Sequence, residues 1–472
     1  MSILAVLFTA FSCILGVVVP WLGVLCYYLF TVGQMQTMWP HHFGEARVSL
    51  YITAATLIGL VGATAIKLVN YRVLLYPPTI MMIILIAWVN LSVPYSSYFV
   101  HVEPVKGQLT QAEILETFNK IVVFYFFAAL LIDTRKKLEW LIYAFALIAL
   151  YYTYWANLMY LTGQFWLFGI NGRLGGMPKS VYFDENYLAM IYVLATPVFY
   201  YIGVARKYMI IRYAIWMIVP LSWHALFLTG SRGALVSVGV VCIYIFFRSY
   251  FKKASIGIVI GLIVATIYQS GVLLNRVDET VEEANKVEST VASDDEALDP
   301  RLLSWKVGLQ IMHDYPVFGV GVANFIMAFP DYSNTNRHVA HNTFLQFAAN
   351  CGIITGLIYL WFFWIRFTTL FKKAPPDAKY HLGLHRDYLD DLLNALYLGF
   401  FVVAVFLDLM VYEILYMVLI MGFAKYCIDR PREVKVRKYK KSIYRFGQKK
   451  ATLDDQTEVI DGPGSRLTSQ LD

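Results

Sequence analysis

The sequence predicts an all-α protein that crosses a membrane many times. Of its 472 residues, 58% are hydrophobic and 15% are charged, and the mean hydropathy is +0.56. This apolar surface exceeds what one water-soluble core would bury, so lipid must solvate most of the chain. Apolar runs of about 20 residues, the length that one membrane-spanning helix needs, recur along the whole chain. They lie at 3–33, 48–66, 73–93, 115–132, 138–162, 186–204, 210–229, 233–250, 255–274, 342–365, 391–407 and 410–427.

The number and order of these runs predict about twelve transmembrane helices and one large outer loop. The first run contains Pro20 near its middle, which indicates either one broken helix or a tight hairpin of two short helices, so the count is twelve or thirteen. The chain is expected to divide into N-terminal transmembrane helices (1–274), an extracytoplasmic loop with short amphipathic helices (275–341), C-terminal transmembrane helices (342–427) and a basic cytoplasmic tail (428–472).

Basic residues predict which loops face the cytoplasm, because lysine and arginine near helix ends remain on that side. Five short loops agree with strict alternation. Their basic residues are Lys67 and Arg72; Arg135, Lys136 and Lys137; Arg206, Lys207 and Arg212; Arg248, Lys252 and Lys253; and Arg366, Lys372 and Lys373. The stretches 94–114 and 163–185, the turn at Ser231 and the loop 275–341 then lie outside. The basic tail is expected to contact anionic membrane lipids, and no nucleic-acid partner is expected.

Cysteine and acidic patterns argue against a metal or redox site. The five cysteines lie in or beside apolar runs, without the close pairing that metal or redox motifs show. The acidic stretch 278–299 is typical of a solvated cap, so we do not interpret its Asp294-Asp295-Glu296 run as a metal motif. We therefore expect neither a cofactor nor a metal ion.

Three arginines on the predicted outer side need an explanation, because basic residues are scarce there. Arg232 lies in a break with two glycines between apolar runs, where it either snorkels at a helix end or clamps an anion. Arg301 opens an apolar helix that Asp299 and Pro300 begin, and a helix N-terminus favours an anion. Arg173 lies in a glycine-rich loop, and a merely structural placement is an equal alternative for it.

A histidine stands at the start of the next apolar run. Directly after His341, the residues Asn342, Gln346 and Asn350 recur at a spacing of four and form one polar stripe on an apolar helix. In lipid, such a stripe faces the interior of a helix bundle. His341 is either a hydrogen-bonding residue at a helix end or, with arginines nearby, a general base that is neutral near physiological pH.

Three motifs carry a resemblance to a known family. They are Gly230-Ser231-Arg232-Gly233-Ala234; Arg301 and Trp305 followed by Tyr315-Pro316-Val317-Phe318-Gly319-Val320-Gly321 and Asn324-Phe325; and His341-Asn342-Thr343-Phe344-Leu345-Gln346 followed by Gly352. Their order and spacing, over roughly residues 184–365, resemble the superfamily of O-antigen ligases, O-antigen polymerases and bacterial protein O-oligosaccharyltransferases. The N-terminal third, with Pro20-Trp21-Leu22-Gly23 and the stretch 180–186, is similar to the exosortase-associated ligase-like branch.

The resemblance implies a GT-C-like fold in the bacterial inner membrane, with an active site that faces the periplasm. It implies an inverting, metal-independent glycosyltransferase that uses a polyprenyl-pyrophosphate-linked glycan as donor. The acceptor would be a hydroxyl of a lipid, of a second glycan or of a protein.

The resemblance also assigns roles to residues of this chain. Arg232 and Arg301 match the family's basic pair and would hold the pyrophosphate. His341 matches the family histidine and would orient or deprotonate the acceptor hydroxyl. Further substrate contacts are expected from Arg173, Asn342, Trp305 and Gln346.

Two functions of other classes stay open. A transporter or flippase of a lipid-linked or polysaccharide substrate also has about twelve spans and polar residues within them, although the two halves of this sequence show no repeat of the kind that transporters carry. A non-catalytic assembly or sensor subunit would require the outer arginines and His341 to be dispensable. The activity of point mutants separates that function from an enzyme.

The predicted topology can be tested by cysteine labelling in intact cells. We expect a membrane-impermeant thiol reagent to label Ser289→Cys in the outer loop and to spare Thr452→Cys in the tail, because alternation places these positions on opposite sides of the membrane. The opposite labelling pattern would show that the orientation, and every site assignment that depends on it, is wrong.

Overall fold

The structure is a computed structural model that describes residues 2–100, 109–169, 172–249, 251–268, 300–371 and 387–430. These residues form helices and loops, and the one extended pairing among them is an antiparallel bridge between Phe168 and Leu174. The all-α prediction is confirmed for this part of the chain. The acidic stretch 278–299 and the tail after Arg430 lie outside the described residues, and so do the predictions made for them.

Each of the twelve apolar runs contains helix. The described helices up to residue 268 are α1 (Ile3–Val18), α2 (Pro20–Thr31), α3 (Met35–Met38), α4 (Pro40–Phe43), α5 (Val48–Ala65), α6 (Pro77–Tyr95), α7 (Gln111–Leu131), α8 (Arg135–Leu161), α9 (Glu185–Val204), α10 (Met209–Trp216), α11 (Ile218–Thr229), α12 (Arg232–Arg248) and α13 (Lys252–Tyr268). From residue 300 onward they are α14 (Pro300–Asp314), α15 (Phe325–Ala328), α16 (Thr343–Cys351), α17 (Ile353–Phe367), α18 (Tyr388–Ala404) and α19 (Glu413–Ile428).

Several of these helices have the length and composition of membrane spans. Six segments are long and apolar enough to cross a bilayer: Val48–Ala65, Pro77–Tyr95, Gln111–Leu131, Arg135–Leu161, Glu185–Val204 and Met209–Thr229. Shorter apolar helices are Ile3–Val18, Pro20–Thr31 and Ile353–Phe367. The chain is thus a multi-pass membrane protein, while the count of twelve or thirteen spans and the orientation stay predictions.

The first apolar run forms a tight hairpin, which is one of the two alternatives that the sequence left open. The chain reverses at Pro20, which occupies the first turn of α2, where a missing N–H costs no hydrogen bond. The amide of Ser2 donates to the carbonyl of His42 at 2.7 Å, and the rings of Phe8 and Phe30 stack with centroids 6.2 Å apart. The start of α1 and the end of α2 therefore lie at the same end of the bundle.

Ion pairs join four helices at one end of the bundle, which we name the basic end. Arg135 donates to both carboxylate oxygens of Asp387, at 2.8 and 2.9 Å. Arg248 pairs with Asp391 at 3.1 Å, and Lys425 pairs with Asp390 at 3.1 Å. These contacts connect the start of α8, the end of α12, the start of α18 and the end of α19. Two of the loops that were predicted to face the cytoplasm, at residues 135–137 and 248–253, are therefore found together.

The described parts of the predicted outer stretches meet at the opposite end, the site end. Tyr98 donates to the carboxylate of Asp331 at 3.0 Å, and the hydroxyl of Ser96 donates to the carbonyl of Gly319 at 2.8 Å. The Arg173 guanidinium reaches the turn that joins α11 to α12. Sequence alternation and packing therefore sort the loops into the same two groups.

The apolar run 342–365 is two helices, where the sequence predicted one. Gly352 separates α16 from α17 with φ +92°, a conformation that other residues rarely adopt. The backbone of the segment 315–321 docks into this break: Val320 donates to the carbonyl of Ala349, and Ile353 donates to that of Pro316, each at 2.9 Å. A Cβ at position 352 would lie 1.8 Å from the carbonyl oxygen of Val317, so only glycine permits this approach.

The helix break gives a prediction on stability. Gly352→Ala should lower the apparent melting temperature of the purified protein, because it adds backbone strain of about 1–3 kcal/mol and displaces the carbonyl of Val317. Gly239→Ala within α12 is the matched control. A Cβ there meets no atom within 4 Å, and alanine favours a helix over glycine by about 1 kcal/mol. Equal melting temperatures for the two variants would contradict the docking of 315–321 into the break.

Candidate functional site

The turn between α11 and α12 places an arginine at a helix N-terminus. α11 ends at Gly230, and the hydroxyl of Ser231 caps α12 by accepting from the amide of Ala234 at 3.4 Å. Arg232 is therefore the first residue of α12, where unpaired backbone N–H groups add partial positive charge. Gly233 packs against the Phe406 ring so closely that a Cβ there would lie 2.7 Å from it.

The guanidinium of Arg232 is exposed and uncompensated. Within the part of the chain that the structure describes, Arg232 forms neither a hydrogen bond nor an ion pair. A guanidinium presents a planar fork of donors that suits phosphate oxygens. Together with the helix N-terminus, Arg232 is thus well suited to bind an anion.

Arg173 has a different environment, because its donors are already used within the protein. Its Nε donates to the carbonyl of Thr229 at 2.8 Å, and its Nη2 donates to the side-chain oxygen of Asn186 at 3.1 Å. The same Asn186 oxygen accepts from the hydroxyl of Ser231 at 2.8 Å, and the carboxylate of Glu185 lies 3.7 Å from Arg173 Nη1. Arg173 therefore holds the turn that carries Arg232.

Arg301 approaches the same turn from α14. As expected, this helix begins around Arg301, with Pro300 as its first residue. The guanidinium carbon of Arg301 lies 5.8 Å from the centroid of the Phe406 ring, within the range of a cation–π contact. Phe406 thus contacts both Arg301 and the residue next to Arg232.

Trp305 lies one turn further along α14. Its half-buried ring packs with the small apolar cluster of Leu303, Val307 and Phe325, and it lines a shallow groove on the outer side of the helix. The indole Nε1 is buried without a hydrogen-bond partner among the described residues. A buried donor without a partner is uncommon in proteins.

A buried carboxylate holds the residues at the start of α16. The amide of His341 donates to Oδ2 of Asp408 at 3.1 Å, and the amide of Asn342 donates to Oδ1 at 3.3 Å. His341 has φ +48°, in the left-handed region, so its backbone needs such support. Asp408 belongs to the loop between α18 and α19, which we name the 405–412 loop.

The 405–412 loop follows the start of α16 over several residues. The hydroxyl of Thr343 donates to the carbonyl of Leu407 at 2.7 Å, and the side-chain oxygen of Gln346 accepts from the amide of Met410 at 3.0 Å. Asn342 accepts from the amide of Leu345 and caps its own helix. The predicted polar stripe therefore faces the protein interior, where Gln346 binds this loop.

Asp408 was missed in the sequence, because it lies between two apolar runs and resembles an ordinary turn residue. Burial raises the pKa of its carboxyl to about 6, although the N–H groups of His341 and Asn342 favour the ionised form. Tyr187 adds a further contact, since its hydroxyl donates to the carbonyl of Asp408 at 3.4 Å and its ring stacks on Tyr412. The one feature of the sequence that could have drawn attention to Asp408 is that it is the single acidic residue between the last two apolar runs.

A second cavity opens at the site end beside the N-terminal hairpin, with a volume of about 720 Å³. Its lining includes the amides of Gln34 and Gln36, the ring of Trp166, the ammonium-bearing Lys179 and the carboxyl-bearing Glu413. Amides, charges and an aromatic face are groups that can bind a polar, hydroxylated ligand. Glu413 is adjacent in sequence to Tyr412, so the cavity borders the Asp408 contacts.

The described residues contain no group of three or more His, Cys, Asp or Glu side chains that could hold a metal ion. The expected independence from metal stays a prediction.

The middle of the chain matches a family model. Residues 215–360 match the model described as Wzy_C, O-antigen ligase. Over this segment, about a third of the chain, the match supports the resemblance to the O-antigen ligase and polymerase superfamily. No curated protein matches it.

The matched segment contains Arg232, Arg301, Trp305, His341 and Gln346. The resemblance read from the motifs is thereby confirmed, and a membrane enzyme of the ligase or glycosyltransferase type follows in general terms. Asp408 lies beyond the matched segment, so the site combines family residues with a later loop.

The position of Asp408 gives a prediction on pH. The catalytic rate of the protein should fall as pH drops below about 6, because the protonated carboxyl accepts less strongly from the two backbone N–H groups. Asp408→Asn should lower the rate by roughly 10- to 100-fold, as expected for a lost charge-assisted hydrogen bond, and should leave only the acidic limb that protonation of an imidazole base produces. A pH–rate profile of both proteins measures the effect.

Stability provides the control for this experiment. A carboxyl whose pKa is raised by folding favours the folded state at low pH, and this contribution is lost as pH rises through about 6. A rate that increases over the same interval is therefore not caused by increased stability. An Asp408→Asn protein with the rate and pH profile of the unmodified protein would contradict the assignment.

Proposed function

We propose that this chain transfers a glycan from a polyprenyl pyrophosphate to a hydroxyl acceptor on the periplasmic side of the bacterial inner membrane. The observation that carries this proposal is the convergence of three residues on the 405–412 loop. Phe406 contacts Arg301 and the residue next to Arg232, and Asp408 binds the backbone at His341. Residues that are far apart in the sequence thus meet at one loop.

In the proposed reaction, the two arginines bind the donor pyrophosphate. Arg232 has an uncompensated guanidinium at a helix N-terminus, and Arg301 also lies near a helix N-terminus. Negative charge grows on the leaving oxygen as the bond between the anomeric carbon and that oxygen breaks, and preorganised cationic donors stabilise it. The pyrophosphate leaves with the electron pair, so no acid has to protonate it.

His341 acts on the acceptor in this proposal. The acceptor oxygen attacks the anomeric carbon from the face opposite the pyrophosphate, which inverts the configuration, and its proton passes to the His341 imidazole. Asp408 fixes the backbone that carries this imidazole. Arg173 is assigned a positioning role, because its donors hold the turn of Arg232.

The cavity beside the N-terminal hairpin is a suitable place for sugar rings next to the reacting carbon. Its Trp166 offers an aromatic face, and Gln34 and Gln36 offer amide groups to hydroxyls. Sugar contacts at this place would leave the catalytic residues free for the reacting groups.

The proposal predicts different defects for Arg232 and His341. Arg232→Ala should lose donor binding, and Arg232→Lys should restore little of it, because lysine keeps the charge but not the fork. His341→Ala should still bind donor but lose transfer by about 10²- to 10⁴-fold, the usual contribution of a general base. Donor binding and single-turnover transfer are measured on purified variants with a defined polyprenyl-pyrophosphate glycan and a panel of acceptors.

Arg72→Ala is the matched control, because Arg72 is also an exposed arginine but lies in a loop of the predicted cytoplasmic group and does not line the cavity. It should behave as the unmodified protein. Full activity in Arg232→Ala at a normal protein level would refute the donor clamp. If His341→Ala lost donor binding and transferred pre-bound donor at the normal rate, the base assignment would be wrong.

A further inference from the structure

A cleft at the basic end, far from the site, has an unexplained combination of charge and apolar surface. It lies between α6, α17 and α19 and has a volume of about 520 Å³. Its mouth is formed by Arg366, Thr368 and Arg430, and its interior by apolar and aromatic side chains such as Leu419 and Phe423.

Two arginines at the mouth have hydrogen-bond donors or positive charge that the described residues do not satisfy. The Arg366 Nη2 donates to the carbonyl and the carboxylate of Asp390, at 2.9 and 3.0 Å, but its Nε is buried and has no partner among the described residues. Arg366 is 6% exposed. A buried guanidinium N–H without an acceptor is costly, and a ligand acceptor would relieve that cost.

The second arginine, Arg430, packs on two tyrosine rings. The Arg430 guanidinium carbon lies 4.2 Å from the centroid of Tyr426 and 5.4 Å from that of Tyr76, and in the described part of the chain Arg430 has no carboxylate partner. Asp429, the acid at the mouth, is bound to Lys425 at 2.6 Å. The mouth therefore carries a surplus of positive charge.

The depth of the cleft matches one leaflet of a bilayer. Along α19 the lining extends from Arg430 at the mouth to Leu419 inside, which is about 16 Å at 1.5 Å per residue. One half of a bilayer core is about 15 Å thick. The charged mouth thus lies at the depth of headgroups and the apolar interior at the depth of acyl chains.

We propose that this cleft binds an anionic phospholipid from the leaflet at the basic end of the bundle. The phosphate accepts from Arg366 Nε and Arg430, and one acyl chain fills the interior. A neutral phospholipid does not compensate the surplus charge, and free phosphate does not need the apolar interior. This inference does not rest on the proposed transfer reaction, because the site residues lie at the opposite end of the helices.

The test uses the full-length protein in nanodiscs of phosphatidylcholine, with or without phosphatidylglycerol. Two variants change the cleft: Arg430→Gln removes the charge, and Thr368→Trp blocks the mouth without changing any charge. Arg72→Gln is the matched control, because Arg72 is an exposed arginine in another loop of the predicted cytoplasmic group and does not line the cleft. Apparent melting temperature and native mass spectrometry of bound lipid are the measurements.

Phosphatidylglycerol should raise the melting temperature of the unmodified protein and of Arg72→Gln, and one such lipid should stay bound. Each cleft variant should lose the rise, with affinity reduced roughly 10-fold or more for the loss of a charge-assisted hydrogen bond. Their melting temperatures in phosphatidylcholine alone show whether they fold.

Any of four results would overturn the proposal. They are equal melting temperatures with and without phosphatidylglycerol, the same rise with inorganic phosphate added to phosphatidylcholine nanodiscs, a rise with a polyprenyl phosphate but not with phosphatidylglycerol, and an undiminished rise in both cleft variants.

Discussion

The carboxylate of Asp408 accepts from the backbone N–H groups of two successive residues, His341 and Asn342, which are about 67 positions away in the sequence. His341 occupies the left-handed region, and a buried backbone N–H without a partner costs about 1–3 kcal/mol. Without this carboxylate, the start of α16 would lose the contacts that hold it. The position of the candidate base therefore depends on a loop between the last two helices.

That dependence explains why the site extends beyond the matched segment. The O-antigen ligase match ends at residue 360, before α18 and α19. The basic end holds α18 through the pairs of Asp387 with Arg135 and of Asp391 with Arg248, and the pair of Lys425 with Asp390 joins α19 to α18. Since α18 and α19 carry the 405–412 loop between them, ion pairs at one end of the bundle help to fix the geometry at the other.

Charged side chains form ion pairs at the basic end, whereas at the site end one arginine lacks an acidic partner among the described residues. At the basic end, carboxylates from α18 neutralise cations from α8, α12 and α19, and such pairs fix helix positions. At the site end, Arg173 is neutralised by Glu185 and serves the fold, whereas Arg232 has no such partner within the described residues. An uncompensated cation costs solvation free energy in a membrane protein, so its presence favours a ligand anion.

Much of the fold could be predicted from the sequence, because lipid imposes a length and a composition on each spanning helix. The all-helical class, the apolar runs and the grouping of the loops followed from that constraint. The break at Gly352 could not be predicted from periodicity, because the segment that enters it, 315–321, lies elsewhere in the sequence. Pro20 predicted a break in the first apolar run, but it did not show whether the two halves form one broken helix or a hairpin, because tertiary contacts decide between them.

The sequence predicted those residues of the candidate site that carry a positive charge on the predicted outer side, where basic residues are scarce. Arg232 and Arg301 were found as arginines of the predicted outer side, and the structure brings Arg301 and Gly233, the residue after Arg232, to Phe406. Arg173 is also a basic residue on the predicted outer side, so the sequence did not distinguish it from the other two. The structure shows that it donates to Thr229 and Asn186. Asp408 could not be recognised, because a carboxylate between two spans gives no indication of which backbone it will meet.

The helix break also separates two requirements that one straight helix could not meet. α17 packs as an apolar helix that ends in the ion pair of Arg366 with Asp390 at the basic end. α16 has to present His341 to the 405–412 loop. Because Gly352 lets the chain change direction between them, the direction of α16 is set by its contacts with 315–321 and the 405–412 loop and not by that of α17. Gly352 thus affects the candidate site indirectly, because it permits the backbone contacts that orient the helix after His341.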